Sequence, residues 1–131
     1  MRKQGLLQAE IVGALAALGH TQYIVIADAG LPIPDGVPLV DLALRAGMPS
    51  FMDTLGTLLP ECVFESYVMA SEAEHASVPL LEEARAALSP MPETLVMHEE
   101  FKRMSERASL IVRTGETKPF ANVILVGGVN F

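Results

Sequence analysis

The sequence predicts an α/β layered fold, and three observations support this. The chain has 131 residues, which is enough for one domain with a substantial core. Residues 22–27 form a nearly continuous apolar run, which is typical of a strand covered on both faces of a sheet. Elsewhere, short β-prone runs alternate with helical patterns, and this alternation indicates helices packed in layers on a sheet.

The first half of the chain begins with a helix over residues 9–18. Ile11, Leu15 and Leu18 keep helical spacing, and Gly19 suits the position just beyond the helix end. The following patterns predict a strand at 22–27, a short strand at 39–44, a helix at 49–59 with Ser50 as its cap, and a strand at 62–70.

The second half continues the same alternation up to the last residues. Its patterns predict a helix at 71–88 broken near Pro79, a strand at 95–97, a helix at 99–108, and two closing strands at 110–112 and 123–126 joined by a turn-like segment at 114–119. The chain contains no internal repeat, low-complexity tract or linker, so residues 1–131 are expected to form a single domain.

Composition restricts the partners. Half of the residues are apolar and the mean hydropathy is +0.37, so we expect some apolar surface to be buried between copies of the chain. The net charge is −7 and no basic run exceeds two residues, which argues against nucleic acid and favours a neutral polar metabolite.

The apolar runs are also too short to span a membrane, and polar residues interrupt any signal-like segment at the start of the chain. The single cysteine, Cys62, excludes an intrachain disulfide and a cysteine metal cluster, so a cytoplasmic protein is expected.

Two residues flank the first predicted strand and are candidates for proton transfer or binding. His20 precedes the strand, either as a cation at a helix C-terminus or as an acid/base group. Asp28 ends the strand, either in an Asx-turn or as a residue that orients His20 or binds sugar hydroxyls. Ligands of open α/β sheets collect outside the carboxyl ends of strands, which favours a functional role for Asp28.

Two further candidates follow later strands. His98 stands at the start of a helix, where neutral imidazole is favoured, whereas the helix end before His20 favours imidazolium. If both rings reach one pocket, they form a better acid and a better base. Asn122 opens the last strand, where turn capping is its alternative role. No pair among His20, Asp28 and His98 has helical ligand spacing, so no metal site is expected.

Taken together, these segments resemble the ribose pyranase and fucose mutarotase family over essentially the whole chain. The resemblance is carried by Gly19-His20-Thr21, Asp28-Ala29-Gly30-Leu31-Pro32-Ile33-Pro34, Pro49-Ser50-Phe51-Met52, His98-Glu99-Glu100-Phe101-Lys102, and Gly115-Glu116 through Pro119-Phe120-Ala121-Asn122-Val123-Ile124-Leu125. The run that begins at Asp28 is the most specific of these segments, and it points to the ribose branch of the family.

The resemblance implies a three-layer α/β/α domain with a mostly parallel or mixed sheet, assembled as a decamer of two pentameric rings. It implies cofactor-free exchange of β-D-ribose between pyranose and furanose forms, with His20 as the proton donor. It also implies that sugar is contacted by Asp28, His98, Phe120, Ala121 and Asn122. Family members often have tyrosine where this chain has Phe120, so one hydroxyl is missing here.

The chemistry of the candidate residues agrees with this activity. Opening a cyclic hemiacetal requires removal of the anomeric hydroxyl proton and protonation of the ring oxygen, and positioned groups with near-neutral pKa are sufficient. Two alternatives remain open from the sequence: a mutarotase for another monosaccharide such as L-fucose, and a non-catalytic sugar-binding module.

Overall fold

The structure, a computed structural model, describes all residues 1–131 and contains one six-stranded sheet. The strands are β1 (Tyr23–Ala27), β2 (Leu39–Asp41), β3 (Phe64–Ala70), β4 (Glu93–Val96), β5 (Ala108–Arg113) and β6 (Val123–Gly127). The helices are α1 (Ala9–Ala17), α2 (Phe51–Leu58), α3 (Ala73–Ala76), α4 (Val78–Leu88) and α5 (His98–Ser105), with a short 3-10 helix at Leu59–Glu61.

The sheet is mixed, with the order β2-β5-β1-β6-β3-β4. Five strands run in the same direction, and β6 is antiparallel to both of its neighbours, β1 and β3. The prediction of a mostly parallel or mixed sheet is therefore confirmed. We call the edge where the five parallel strands end the carboxyl edge, and the opposite edge the amino edge. Because β6 is reversed, it starts at the carboxyl edge and ends at the amino edge.

Helices cover both faces of this sheet, which confirms the three-layer architecture. Side chains alternate along β1: Ile24 and Ile26 pack into the larger core, formed with α1, α2 and α4, while Val25 and Ala27 face the smaller core. The smaller core contains Phe101 of α5, so this face is covered by one helix and the loop after β1. No helix has both the length and the apolar character needed to cross a membrane.

Several predicted boundaries were wrong by a few residues. The strand predicted at 39–44 ends at Asp41, and the helix predicted at 99–108 ends at Ser105 because β5 already begins at Ala108. The strand predicted at 62–70 begins at Phe64, after the 3-10 helix, and the strand predicted at 95–97 lies at 93–96. The two closing strands are not neighbours, since β1 lies between them.

Predictions based on local chemistry were more accurate. Ser50 caps α2 in a reciprocal capping box with Asp53. The break near Pro79 is present at Ser77, where α3 ends before Pro79 enters the first turn of α4. Gly19 follows the last residues of α1, but the left-handed backbone in this loop belongs to Thr21, with φ of 67°.

Candidate functional site

The centre of the candidate site is a pair of side chains at the carboxyl edge, Asp28 and Asn122. Asn122 Nδ2 donates to Asp28 Oδ2 at 2.9 Å, and the Asp28 backbone N–H donates to Asn122 Oδ1 at 2.8 Å. The Gly30 N–H donates to Asp28 Oδ1 at 2.9 Å, so the predicted Asx-turn is present. Asn122 is fully buried. The two neighbouring strands β1 and β6 therefore hold the Asp28 carboxylate in one orientation.

His98 and Phe120 complete this side of the sheet. A cavity of about 220 Å³ is lined by Asp28, Gly30, Leu31, His98, Pro119 and Phe120. The Phe120 ring meets the His98 ring edge to face, with ring centroids 5.1 Å apart. His98 Nδ1 is buried and has no hydrogen-bond partner. Because a buried polar atom without a partner costs free energy, this nitrogen favours a polar ligand in the cavity.

Glu72 positions His98 and was not weighed as a site residue from the sequence. The His98 backbone N–H, at the first position of α5, donates to both Glu72 carboxylate oxygens, at 3.1 and 3.0 Å. Partial burial acts to raise the pKa of Glu72, but the hydrogen bonds from His98 and Ser71 outweigh it and leave the pKa below its usual value. The signal in the sequence was an acidic residue two positions after a strand end, as Glu72 is after β3.

The segment 119–122 is held in a strained conformation. Phe120 has a φ of 59°, in the left-handed region that a bulky side chain rarely adopts. Ser77 Oγ donates to the Pro119 carbonyl at 2.6 Å and ties this segment to the break between α3 and α4. Ala121 is fully buried, its side chain belongs to the larger core, and it does not line the cavity. Backbone strain of this kind is concentrated at binding sites.

Glu116 is a buried carboxylate that joins three segments behind the cavity. Its Oε1 accepts the Thr117 and Lys118 N–H groups, both at 3.0 Å, and its Oε2 accepts the Phe51 N–H at 3.2 Å. Its backbone carbonyl accepts the Ala29 N–H at 2.8 Å. The Glu116 side chain therefore fixes the start of α2 against the segment 114–119, and the Glu116 backbone adds the loop after Asp28.

Replacement of Glu116 by glutamine is expected to lower the free energy of unfolding by about 1–3 kcal/mol, because the amide group places a donor against a buried backbone donor. Chemical denaturation at one protein concentration measures the change. Glu83→Gln is the matched control, since Glu83 is exposed on α4 and should change stability little. Equal denaturation midpoints for the two variants would contradict this role for Glu116.

His20 lies at the other edge of the sheet. Its Nε2 is 2.8 Å from Glu65 Oε2, near the start of β3, and its side chain is 53% exposed. The His20 side chain lines a cleft of about 500 Å³ that also includes Cys62 and the last residues of the chain. Partial burial raises the pKa of the Cys62 thiol, so this group is not activated as a nucleophile at neutral pH.

Within one chain, the two parts of the predicted site do not meet. His20 precedes β1 and Asp28 follows it, and the five residues of this strand span about 13 Å between their end Cα atoms. His20 and His98 line separate cavities. The hydrogen-bond partner of His20 is Glu65, rather than Asp28 or the last carbonyls of α1. No group of three or more His, Cys, Asp or Glu side chains is placed to hold a metal ion.

Comparison with known proteins extends these observations to the whole chain. D-ribose pyranase of Laribacter hongkongensis (strain HLHK9) is 47% identical over 131 residues, covering 100% of both chains. D-ribose pyranase of Geobacillus thermodenitrificans (strain NG80-2) is 46% identical and covers 100% of this chain and 99% of that protein.

Among solved structures, Bacillus subtilis RbsD complexed with D-ribose superposes with a TM-score of 0.97 at 42% identity, with full coverage of both chains. The fucose mutarotase of Streptococcus pneumoniae in complex with L-fucose gives a TM-score of 0.80 at 24% identity over 95% of this chain and 94% of that chain, which shows a shared fold. The model of the RbsD / FucU transport protein family matches residues 1–130. The chain therefore belongs to the RbsD / FucU transport protein family.

Proposed function

We propose that the protein catalyses the cofactor-independent interconversion of β-D-ribopyranose and β-D-ribofuranose. The observation that carries this proposal is the group at the carboxyl edge, where Asp28 is fixed by Asn122 and faces the same cavity as His98. Further support comes from relatives called D-ribose pyranase that are 46–47% identical over the full chain, and from the ribose complex of a 42% identical protein.

The reaction needs only proton transfers. Ring opening breaks the bond between the anomeric carbon and the ring oxygen, while the anomeric hydroxyl loses its proton and the ring oxygen gains one. A different hydroxyl then attacks the open aldehyde, with the reverse proton transfers. Asp28 and His98 bind the sugar hydroxyls and Phe120 packs against the sugar. The buried residues Ala121 and Asn122 support the site from behind the cavity wall, Asn122 through its hydrogen bonds to Asp28. His20 donates the proton to the ring oxygen.

This division of roles requires more than one copy of the chain, because His20 and Asp28 are at opposite edges of the sheet. We propose that the amino edge of one copy docks on the carboxyl edge of the next. Exposed apolar side chains at both edges support this arrangement: Val63, Val129 and Phe131 surround the His20 cleft, and Leu44, Met48 and Met97 lie at the carboxyl edge.

Contacts between two different patches close into a ring when the rotation between copies allows it. A pentameric ring, paired with a second one as a decamer, fits both this head-to-tail contact and the apolar composition of the chain. We propose a cytoplasmic location for the enzyme, because a chain with one cysteine and no disulfide suits a reducing compartment.

Two-dimensional exchange NMR on equilibrated D-ribose tests the activity. The protein should produce cross-peaks between pyranose and furanose signals at mixing times that are too short for the uncatalysed reaction. Broadened ribose signals without cross-peaks would indicate a non-catalytic binding module instead. A faster exchange of L-fucose anomers than of ribose ring forms would assign the protein to another monosaccharide.

A mixture of two inactive variants tests the shared site. His20→Ala chains keep Asp28, and Asp28→Asn chains keep His20, so co-expression of both should create intact sites where the two kinds of chain meet. With equal amounts and random assembly, about one quarter of the sites should be intact. If the mixture is no more active than each variant alone, His20 and Asp28 of different chains do not form a shared site, and the head-to-tail arrangement is wrong.

A further inference from the structure

We propose that Glu65 is a positioning residue for His20. Its carboxylate keeps the proton of the neutral imidazole on Nε2, so Nδ1 is the atom that exchanges protons with the sugar. This inference deepens the proposed function and rests on it for the identity of the reaction. The protonation state of the His20 ring can be measured whether or not the proposed function is correct.

The contact between the two side chains fixes which nitrogen is free. His20 Nε2 lies 2.8 Å from Glu65 Oε2, and an ionised carboxylate only accepts hydrogen bonds. The Nε2 atom must therefore carry hydrogen whenever this bond forms. Nδ1 makes no hydrogen bond within the chain and belongs to a half-exposed ring, so it is available to a group brought in by another copy or by substrate.

Stability is a poor explanation for this ion pair. The side chains are 53% and 42% exposed, and pairs with this exposure contribute little to folding because solvent screens them. Glu65 itself is exposed near the start of β3, so its contact with His20 adds little burial. Its main effect is therefore on the orientation of the imidazole ring.

The backbone around the pair is built to keep the two residues at a constant distance. The end of β6 lies between them: the Thr21 N–H donates to the Gly127 carbonyl at 2.8 Å, and the Gly128 N–H donates to the Val63 carbonyl at 2.9 Å. Thr21 has a φ of 67°, which is an outlier for a β-branched residue and is tolerated where the surroundings enforce it. Strain directly after His20 indicates that the position of this ring is functionally constrained.

The proton transfers of the reaction balance when Nδ1 of His20 is the exchanging atom. In ring opening, the imidazolium of His20 donates its Nδ1 proton to the ring oxygen as the carbon–oxygen bond breaks, and the anomeric hydroxyl passes its proton to His98 in the Asp28 cavity. The His20 ring that remains is the neutral Nε2–H form, which Glu65 stabilises. In reclosure, Nδ1 of His20 takes the proton of the attacking hydroxyl, and His98 returns its proton to the aldehyde oxygen. Without Glu65, the neutral ring divides between two forms, of which only one presents a basic Nδ1.

Two substitutions of Glu65 test the role kinetically. Glu65→Leu removes the acceptor at nearly constant size and should lower kcat several-fold with an unchanged KM, because some of the neutral rings then take the other form or turn away. Glu65→Gln keeps one acceptor oxygen at the same reach but can also turn its NH2 group towards Nε2, so it should recover only part of the lost kcat. Added to His20→Ala, the leucine substitution should cause no further loss, because Glu65 acts through His20. A further loss in that background, or full activity of Glu65→Leu, would overturn the proposal.

The state of the ring itself is measured by nitrogen-15 NMR of labelled histidine at a pH where His20 is neutral. The wild type should show the Nε2–H form, Glu65→Leu a mixture of both forms, and Glu65→Gln a spectrum between the two. An unchanged spectrum in Glu65→Leu would overturn the proposal. Light scattering checks that the variants assemble like the wild type. If the assembly of Glu65→Leu differs in mass from that of the wild type, Glu65→Ala takes its place. If the wild type exchanges no sugar, the proposed function fails, while this spectrum still decides whether Glu65 orients His20.

Discussion

Replacement of His20 by alanine is expected to slow the exchange between ribose ring forms about 10²–10⁴-fold, the usual contribution of one general acid or base. The fold should be preserved, because the side chain is half-exposed and its one ion pair is screened by solvent. Ribose binding should also persist, since the sugar hydroxyls are held by Asp28 and His98 rather than by His20. Exchange rates from NMR and ribose titration measure the two effects separately.

A second histidine provides the control for this experiment. His75 is exposed on α3, and His75→Ala should exchange ribose at the wild-type rate. If His20→Ala retains wild-type exchange as well, the proton donor is a different residue and the proposed mechanism is wrong. Loss of ribose binding in His20→Ala would show that His20 holds the sugar rather than protonates it.

Replacement of Gly115 by alanine is expected to lower the free energy of unfolding by about 3 kcal/mol, the upper part of the range for overpacking. A Cβ atom at this position would lie 2.4 Å from the Arg45 carbonyl oxygen and 2.5 Å from the Met48 carbonyl oxygen. These are backbone atoms, so two chain segments would have to move. The same movement would displace Glu116, and with it the loops around the Asp28 cavity.

Gly13 provides a control with the opposite expected sign. It lies on the exposed side of α1, and a Cβ atom added there would have no neighbouring atom within 4 Å, so Gly13→Ala should stabilise the helix by about 0.5–1 kcal/mol. Denaturation midpoints are compared at one protein concentration, because assembly couples to unfolding. A wild-type denaturation midpoint for Gly115→Ala would show that the backbone at Arg45 and Met48 can move without loss of stability.

The elements of the fold could be predicted wherever local chemistry determines them. The cap at Ser50, the helix break before Pro79 and the buried strand after His20 follow from residue type and spacing alone. The strand order could not be predicted, because it depends on contacts between distant segments. The reversal of β6, and its place between β1 and β3, have no local signature in the sequence.

The candidate site shows the same limit. Asp28 and Asn122 were recognisable as residues at strand ends, but their mutual hydrogen bonds depend on β1 and β6 being neighbours. Glu65 and Glu72 gave weaker signals, since acidic residues are common on surfaces. The separation of His20 from His98 depends on which strand end each residue occupies, and sequence spacing alone does not reveal that.

The reversed strand β6 connects the two edges of the sheet, since it begins beside Asp28 and ends beside the His20 loop. In the proposed head-to-tail ring, each chain therefore contributes to two reaction centres, one with each neighbour. A chain that lacks both residues would silence both centres when it joins a ring of healthy chains. In a cell that carries both alleles, activity would fall with the square of the fraction of healthy chains. A chain that carries both substitutions would therefore lower activity by more than its own share of the chains in the ring.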